Sequence, residues 1–178
     1  MNTATILLLA SALTGADGEH LGAPPLAGFV TGYEAADPRR DAAIREEVPQ
    51  GETVEAWSRM ITTQRFGGLS DRTQATAFAG LVASRMAAAC PGTEVGGPVG
   101  FALDGRPAAR VTVRCPLLAE TGKSETILMV AVIGSHDLHV KQVAFRGGQT
   151  ARDLAWAQAW LARLRLCRAA DQAAPCAD

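Results

Sequence analysis

Residues Glu125–Arg146, ETILMVAVIGSHDLHVKQVAFR, decide the fold. Ile127–Ile133 is an unbroken run of seven apolar residues, which suits a strand covered on both faces or a piece of buried helix. Its β-branched residues and the turn signal that follows, Gly134-Ser135-His136-Asp137, favour the strand. Beyond the turn, Leu138, Val140 and Ala144 fall on one face and Val143 and Phe145 on the other, with His139, Lys141 and Gln142 interrupting. We read a central strand over Ile127–Ile133 and its antiparallel neighbour over Leu138–Arg146.

Outward from this hairpin, Gly147-Gly148 breaks the chain, and Thr150 with Asp153 forms a start resembling a capping box. The helix it opens is expected to run to about Cys167, burying Leu154, Trp156, Ala157, Trp160, Leu161 and Leu164 in one wide arc. Upstream, Asp104-Gly105 is a strong two-residue hairpin signal between Val99–Leu103 and Arg106–Cys115. In the second of these strands Ala109, Val111, Val113 and Cys115 share the inward face. A helix is expected over Arg72–Ala89, opened by Ser70 or Asp71 and burying Phe78, Leu81, Val82, Met86 and Ala89. Thr53 is expected to cap another helix, with Val54, Trp57 and Ile61 at helical spacing and an end near Gln64. Gly28–Glu34 and Ala42–Val48 read as paired strands, Ile44 and Val48 facing in. Strands and helices segregate along the chain, so the expected class is α+β: an antiparallel sheet packed by about three helices, an α/β sandwich.

The chain has 178 residues and a formal net charge of −1, enough for one domain with its own core and too balanced for a nucleic-acid-binding or polybasic membrane role. Residues Met1–Ala16 read as a signal peptide around the apolar stretch Ile6–Ala12. Ala16 stands where a lipidated cysteine would be. Asp17–Pro25 reads as a flexible lead-in, and residues 26–178 as a single α+β domain. The apolar N-terminal run is far short of the ~20 residues that span a bilayer. Localisation is therefore expected to be periplasmic or secreted, in a bacterium, with no integral membrane segment in the mature chain.

Four cysteines fit export. Four allow three pairings, and position alone does not choose among them. Cys167 and Cys176 bracket a short tail that a bond would pin. Cys90 closes a helix and Cys115 faces inward on a strand, so the expected bonds are Cys90–Cys115 and Cys167–Cys176. No zinc spacing is present.

The chemistry-bearing residues form few constellations. Ser135, His136 and Asp137 are the residue types of a hydrolase triad, but sequence neighbours do not converge as a triad must; they read as a polar turn. His136 and His139, even with Asp137 and His20, fall on opposite sides of a regular strand and give no designed metal site. Glu46 and Glu47 likewise point apart. No motif calls for a cofactor or names a catalytic residue. Arg106, Arg110 and Arg114 share the strand face opposite Val111 and Val113. A row of planar guanidiniums suits carboxylate, sulfate or phosphate groups.

Four stretches, Gly28–Tyr33 (GFVTGY), Val48–Gln64 (VPQGETVEAWSRMITTQ), Gln142–Arg146 (QVAFR) and the tail Cys167–Cys176, resemble a group of uncharacterised exported bacterial proteins. The arrangement of elements is also similar to the PsbP/Mog1-like α/β sandwich, an antiparallel sheet with helices on both sides. That resemblance implies binding or assembly roles rather than catalysis, and no site residue of the family maps onto this chain. The leading expectation is an exported binding or assembly module taking a protein partner or a small anionic ligand on the arginine face. The alternatives are a small periplasmic hydrolase, which needs His136 or His139 beside a separate nucleophile in a pocket, and an inhibitor or immunity-type protein.

Overall fold

A computed structural model of the chain describes residues 12–15, 18–171 and 176. Most of the signal-like segment, Met1–Ala16, lies outside the described residues. Nine strands and two helices follow in order: β1 (His20–Gly22), β2 (Phe29–Asp37), β3 (Ala42–Pro49), β4 (Arg59–Phe66), α1 (Ala75–Ala89), β5 (Glu94–Leu103), β6 (Arg106–Leu118), β7 (Lys123–Ile133), β8 (Leu138–Arg146), α2 (Ala151–Leu161) and β9 (Arg165–Cys167). Seven strands make one antiparallel sheet in the order β2-β3-β4-β8-β7-β6-β5, and β1 pairs with β9 apart from it.

The β7–β8 hairpin sits at the centre. Gly134 N–H donates to the carbonyl of Asp137 at 2.8 Å, and the register runs from Ile133 opposite Leu138 to Glu125 opposite Arg146. Ile127, Met129, Ala131 and Ile133 pack with Leu138, Val140 and Ala144 into a core that includes Ala75, Ala79 and Ala83 of α1. Leu128, Val130 and Val132 pack with Val143 and Phe145 into a second core that includes Ala157, Trp160 and Leu161 of α2. Each parity of β7 is therefore buried by a different helix, which is why the run carries no polar residue.

The β5–β6 hairpin turns at Asp104 and Gly105, both with positive φ (49° and 78°), the backbone a two-residue turn of this kind requires. A disulfide joins Cys90, just past the end of α1, to Cys115 on β6, and another joins Cys167 to Cys176.

Several expectations are corrected. Two helices are present among the described residues, not about three. The stretch after Thr53, read as a helix to about Gln64, makes a turn and then strand β4. Ile61, Thr62 and Thr63 are β-branched, and β4 lies between β3 and β8 with both faces covered; the sheet's hydrogen bonds outweigh a helical stripe of three residues. Helix α1 begins at Ala75, and Gln74 precedes it without a side-chain cap. Its buried line is Ala75, Ala79 and Ala83, flanked by half-buried Phe78, Val82 and Met86, whereas Leu81 is 46% exposed and Ala89 is exposed. Small side chains let the helix lie close to the sheet, so larger neighbours straddle the contact. Helix α2 keeps its capping box, Asp153 N–H to Thr150 Oγ1 at 3.1 Å and Thr150 N–H to Asp153 Oδ2 at 2.9 Å. It stops at Leu161 rather than near Cys167, because residues 165–167 pair with His20–Gly22 as β9. That same pairing docks much of the stretch Asp17–Pro25, expected as a flexible lead-in: Glu19 and Leu21 are buried.

Candidate functional site

The last helix covers only part of the sheet face it packs on. Beside its C-terminal end a groove of about 980 Å³ remains open toward the edge strand β5, within the size range of small-ligand sites. Strand parity builds its floor. Val99, Phe101 and Leu103 come from β5, Arg110 and Thr112 from β6, and Leu128 and Val130 from β7. Gln158, Leu161, Leu164 and Arg165 form the wall. The outer rim is apolar and wet: Val99 is 49% and Phe101 38% exposed.

The register sets the electrostatics of this groove. Arg110 lies opposite Val99 on one side and Val130 on the other, and directly opposed side chains stand only ~5 Å apart. It is exposed, and among the described residues no carboxylate lies within 4 Å of it. Arg165 on the wall is already held, its Nε 2.8 Å from Asp104 Oδ1. The groove thus presents one uncommitted guanidinium between apolar neighbours.

The three arginines of the β6 face do not line one groove. Arg114 lies opposite Glu94 and Thr126 and lines a separate, smaller depression of about 290 Å³. Arg106 lies opposite Leu103 and lines neither. Only Arg110 enters the large groove.

The histidines go elsewhere. His136 is exposed in the β7–β8 turn, whereas His139 is 1% exposed, and neither lines the groove. No group of three or more His, Cys, Asp or Glu side chains suited to a metal is found among the described residues. Burial holds the Glu46 carboxyl above its usual range, while Glu47 on the opposite face acts on Lys141.

A buried polar cluster beneath the N-terminal segment that carries β1 was not visible in the sequence. Arg65 donates to Asp137 at 3.1 Å, to Asp41 at 2.6 Å and to the Ala12 carbonyl at 2.6 Å. Asp137 also accepts from Gly68 N–H at 3.1 Å. Lys141 donates to Thr63 Oγ1 at 2.5 Å, and burial pushes its ammonium down to about 8, against the opposing pull of Glu47. Arg65 and Lys141 lie on different strands, and only their common parity with buried Ile61 and Val143 hints that they face in.

No protein-family model and no curated protein sequence matches the chain. Solved structures do. A point mutant of the protein Mog1 matches with a TM-score of 0.52 at 10% identity, over 82% of this chain and 90% of its own. The Ran-binding protein Mog1p of Saccharomyces cerevisiae gives 0.51 at 9% identity over 82% and 89%. The cyanobacterial PsbP of Synechocystis gives 0.50 at 10% identity over 80% and 94%. At such identities the likeness is one of fold. The chain has a PsbP/Mog1-like fold.

Proposed function

We propose that this chain is an exported binding module that seats an anionic ligand in the groove between the β5–β6 hairpin and the C-terminal end of α2, with Arg110 as its anchor. One observation carries the reading: Arg110 stands on the floor of the groove between Val99 and Val130 with no carboxylate of the described residues within 4 Å. A guanidinium whose charge is not internally matched, set among apolar side chains, favours an organic anion over an inorganic one, because the apolar part of the ligand is also removed from water. The two disulfides and the signal-like N-terminus support an oxidising compartment, periplasmic or extracellular.

A second reading, a protein partner, draws on the edge strand. β5 is exposed through almost its whole length and carries Val95, Val99 and Phe101 outward. The Ran-binding Mog1p shares the fold. A thermal-shift panel of aromatic and aliphatic carboxylates, sulfates and phosphates separates the two. An organic anion at ~100 times its Kd should add roughly 2.7 kcal/mol of stability. Arg110→Ala should abolish that shift, and Arg106→Ala should leave it intact. Silence across the panel, or a shift that survives Arg110→Ala, overturns the groove reading and directs the search to a protein partner or inhibitor target.

A further inference from the structure

The N-terminal strap, residues 18–26, crosses the closed side of the same sheet face. Leu21 enters the core beside Val132 and Val143, β1 pairs with β9, and the Pro24 carbonyl accepts a 3.0 Å hydrogen bond from Trp160 Nε1. At the start of the strap, Glu19 is 3% exposed. Its carboxylate accepts from Ser135 N–H at 2.8 Å and Ser135 Oγ at 3.2 Å. Facing it on β8, His139 Nε2 is buried without a hydrogen-bond partner among the described residues and lies 3.6 Å from Glu19 Oε1. Part of what holds the strap's first turn is thus a carboxylate facing an imidazole nitrogen that no described residue satisfies.

We propose that the strap is an acid-released lid and that His139 is its trigger. With the strap closed, the ring is sealed from water; with the strap open, water can solvate a charged imidazolium. Protonation and opening therefore favour each other.

The groups that face the ring pull in both directions. Glu19 from the strap and Asp137 from the β7–β8 turn favour the charge. Arg65 from β4 opposes it and is itself held on its far side by exposed Asp41. Lys141, two residues along the same face of β8, adds a second cation. Burial is the largest effect and holds the His139 imidazole below its usual range. The sign follows: the folded ring takes up its proton at lower pH than a solvated one, so the closed form loses ground as pH falls below about 6.5. Release uncovers the apolar seat of Leu21 and the polar row on β4 and β8, on the half of the face away from the groove.

The full chain contains three histidines, His20, His136 and His139, so ring-proton NMR can follow each one separately. Hydrogen exchange of the strap amides, corrected for intrinsic rate, and Trp160 emission are read alongside from pH 8 to pH 4.5. The expected result is several-fold faster exchange in residues 18–26 at pH 5 than at pH 7.5, tracking the His139 titration. His20→Gln should keep the transition and His139→Gln should remove it. If the strap does not open on acidification, or opens with the His20 curve, or still opens in a folded His139→Gln protein, the proposal fails. Should that variant not fold, the native ring titration still decides: strap amides that move independently of His139 overturn it.

Discussion

The sheet face beneath α2 has a closed half and an open half, and they treat charge in opposite ways. On the closed half, β4 and β8 turn Thr63, Arg65, His139 and Lys141 into the interior, under the strap and Trp160. Water is excluded there, so each charge needs a partner: Arg65 has Asp137 and Asp41, and Lys141 has Thr63 and the field of Glu47. On the open half, Arg110 keeps water on one side and pairs with no carboxylate among the described residues. Charge on the closed half affects stability first; charge on the open half can be spared by the fold and is available for recognition.

Four measurements test this contrast. The largest effect is expected from Asp137→Ala, which removes the buried carboxylate of the Arg65 guanidinium, leaving it exposed Asp41 and the Ala12 carbonyl, and takes the acceptor from Gly68 N–H. A loss of about 3–5 kcal/mol in urea denaturation is expected, and a loss below about 1 kcal/mol would mean the closed half is wetter than described. Next comes the disulfide on the other face of the sheet, where α1 packs. Replacing Cys90 and Cys115 together by Ala should remove about 3 kcal/mol, since the bond closes a loop of moderate length, while the strap's amide protection stays as it was.

Lys141→Met should act the other way. The folded ammonium titrates near 8 against 10.5 when unfolded. Its burial penalty is therefore complete below pH 8 and is relieved as pH rises from 8 to 10.5. The variant should gain roughly 2 kcal/mol at pH 7 and lose the native protein's rise in stability across that window; a destabilised variant at pH 7 would show that the Thr63 bond outweighs desolvation. The smallest effect on stability belongs to Arg110→Ala, within about 0.5 kcal/mol of the native protein. The same change should weaken anion binding at least about tenfold, and a large loss of stability instead would make Arg110 structural.

The parts of the fold legible in the sequence are those set by short-range rules. The β7–β8 hairpin follows from an apolar run, a four-residue turn and a second apolar stretch. The Asp104-Gly105 turn follows from its need for two positive φ values. Strand parity turned Cys115 inward, where it meets Cys90, and it put Arg110 on the opposite face, where the groove lies.

What remained hidden depends on neighbours far along the chain. Met60–Gln64 holds apolar residues at spacings that fit helix or strand; β3 and β8, closing on it from both sides, decided for strand. Leu81 fits a helical stripe, yet the alanines of α1 lie against the sheet because only small side chains allow that approach. Glu19 and His139 are 120 positions apart in number, and nothing local marks either as buried.

The sequence by itself determined the antiparallel α+β class, the central hairpin, the tight turns and the inward cysteine, because these rest on periodicity and backbone preference within a few residues. Only the tertiary structure decided which arginine stands in a groove, which charges are sealed beneath the strap, and that β4 is a strand. Burial is a property of the assembled sheet, and a side chain's partners are chosen by register between strands that the sequence places far apart.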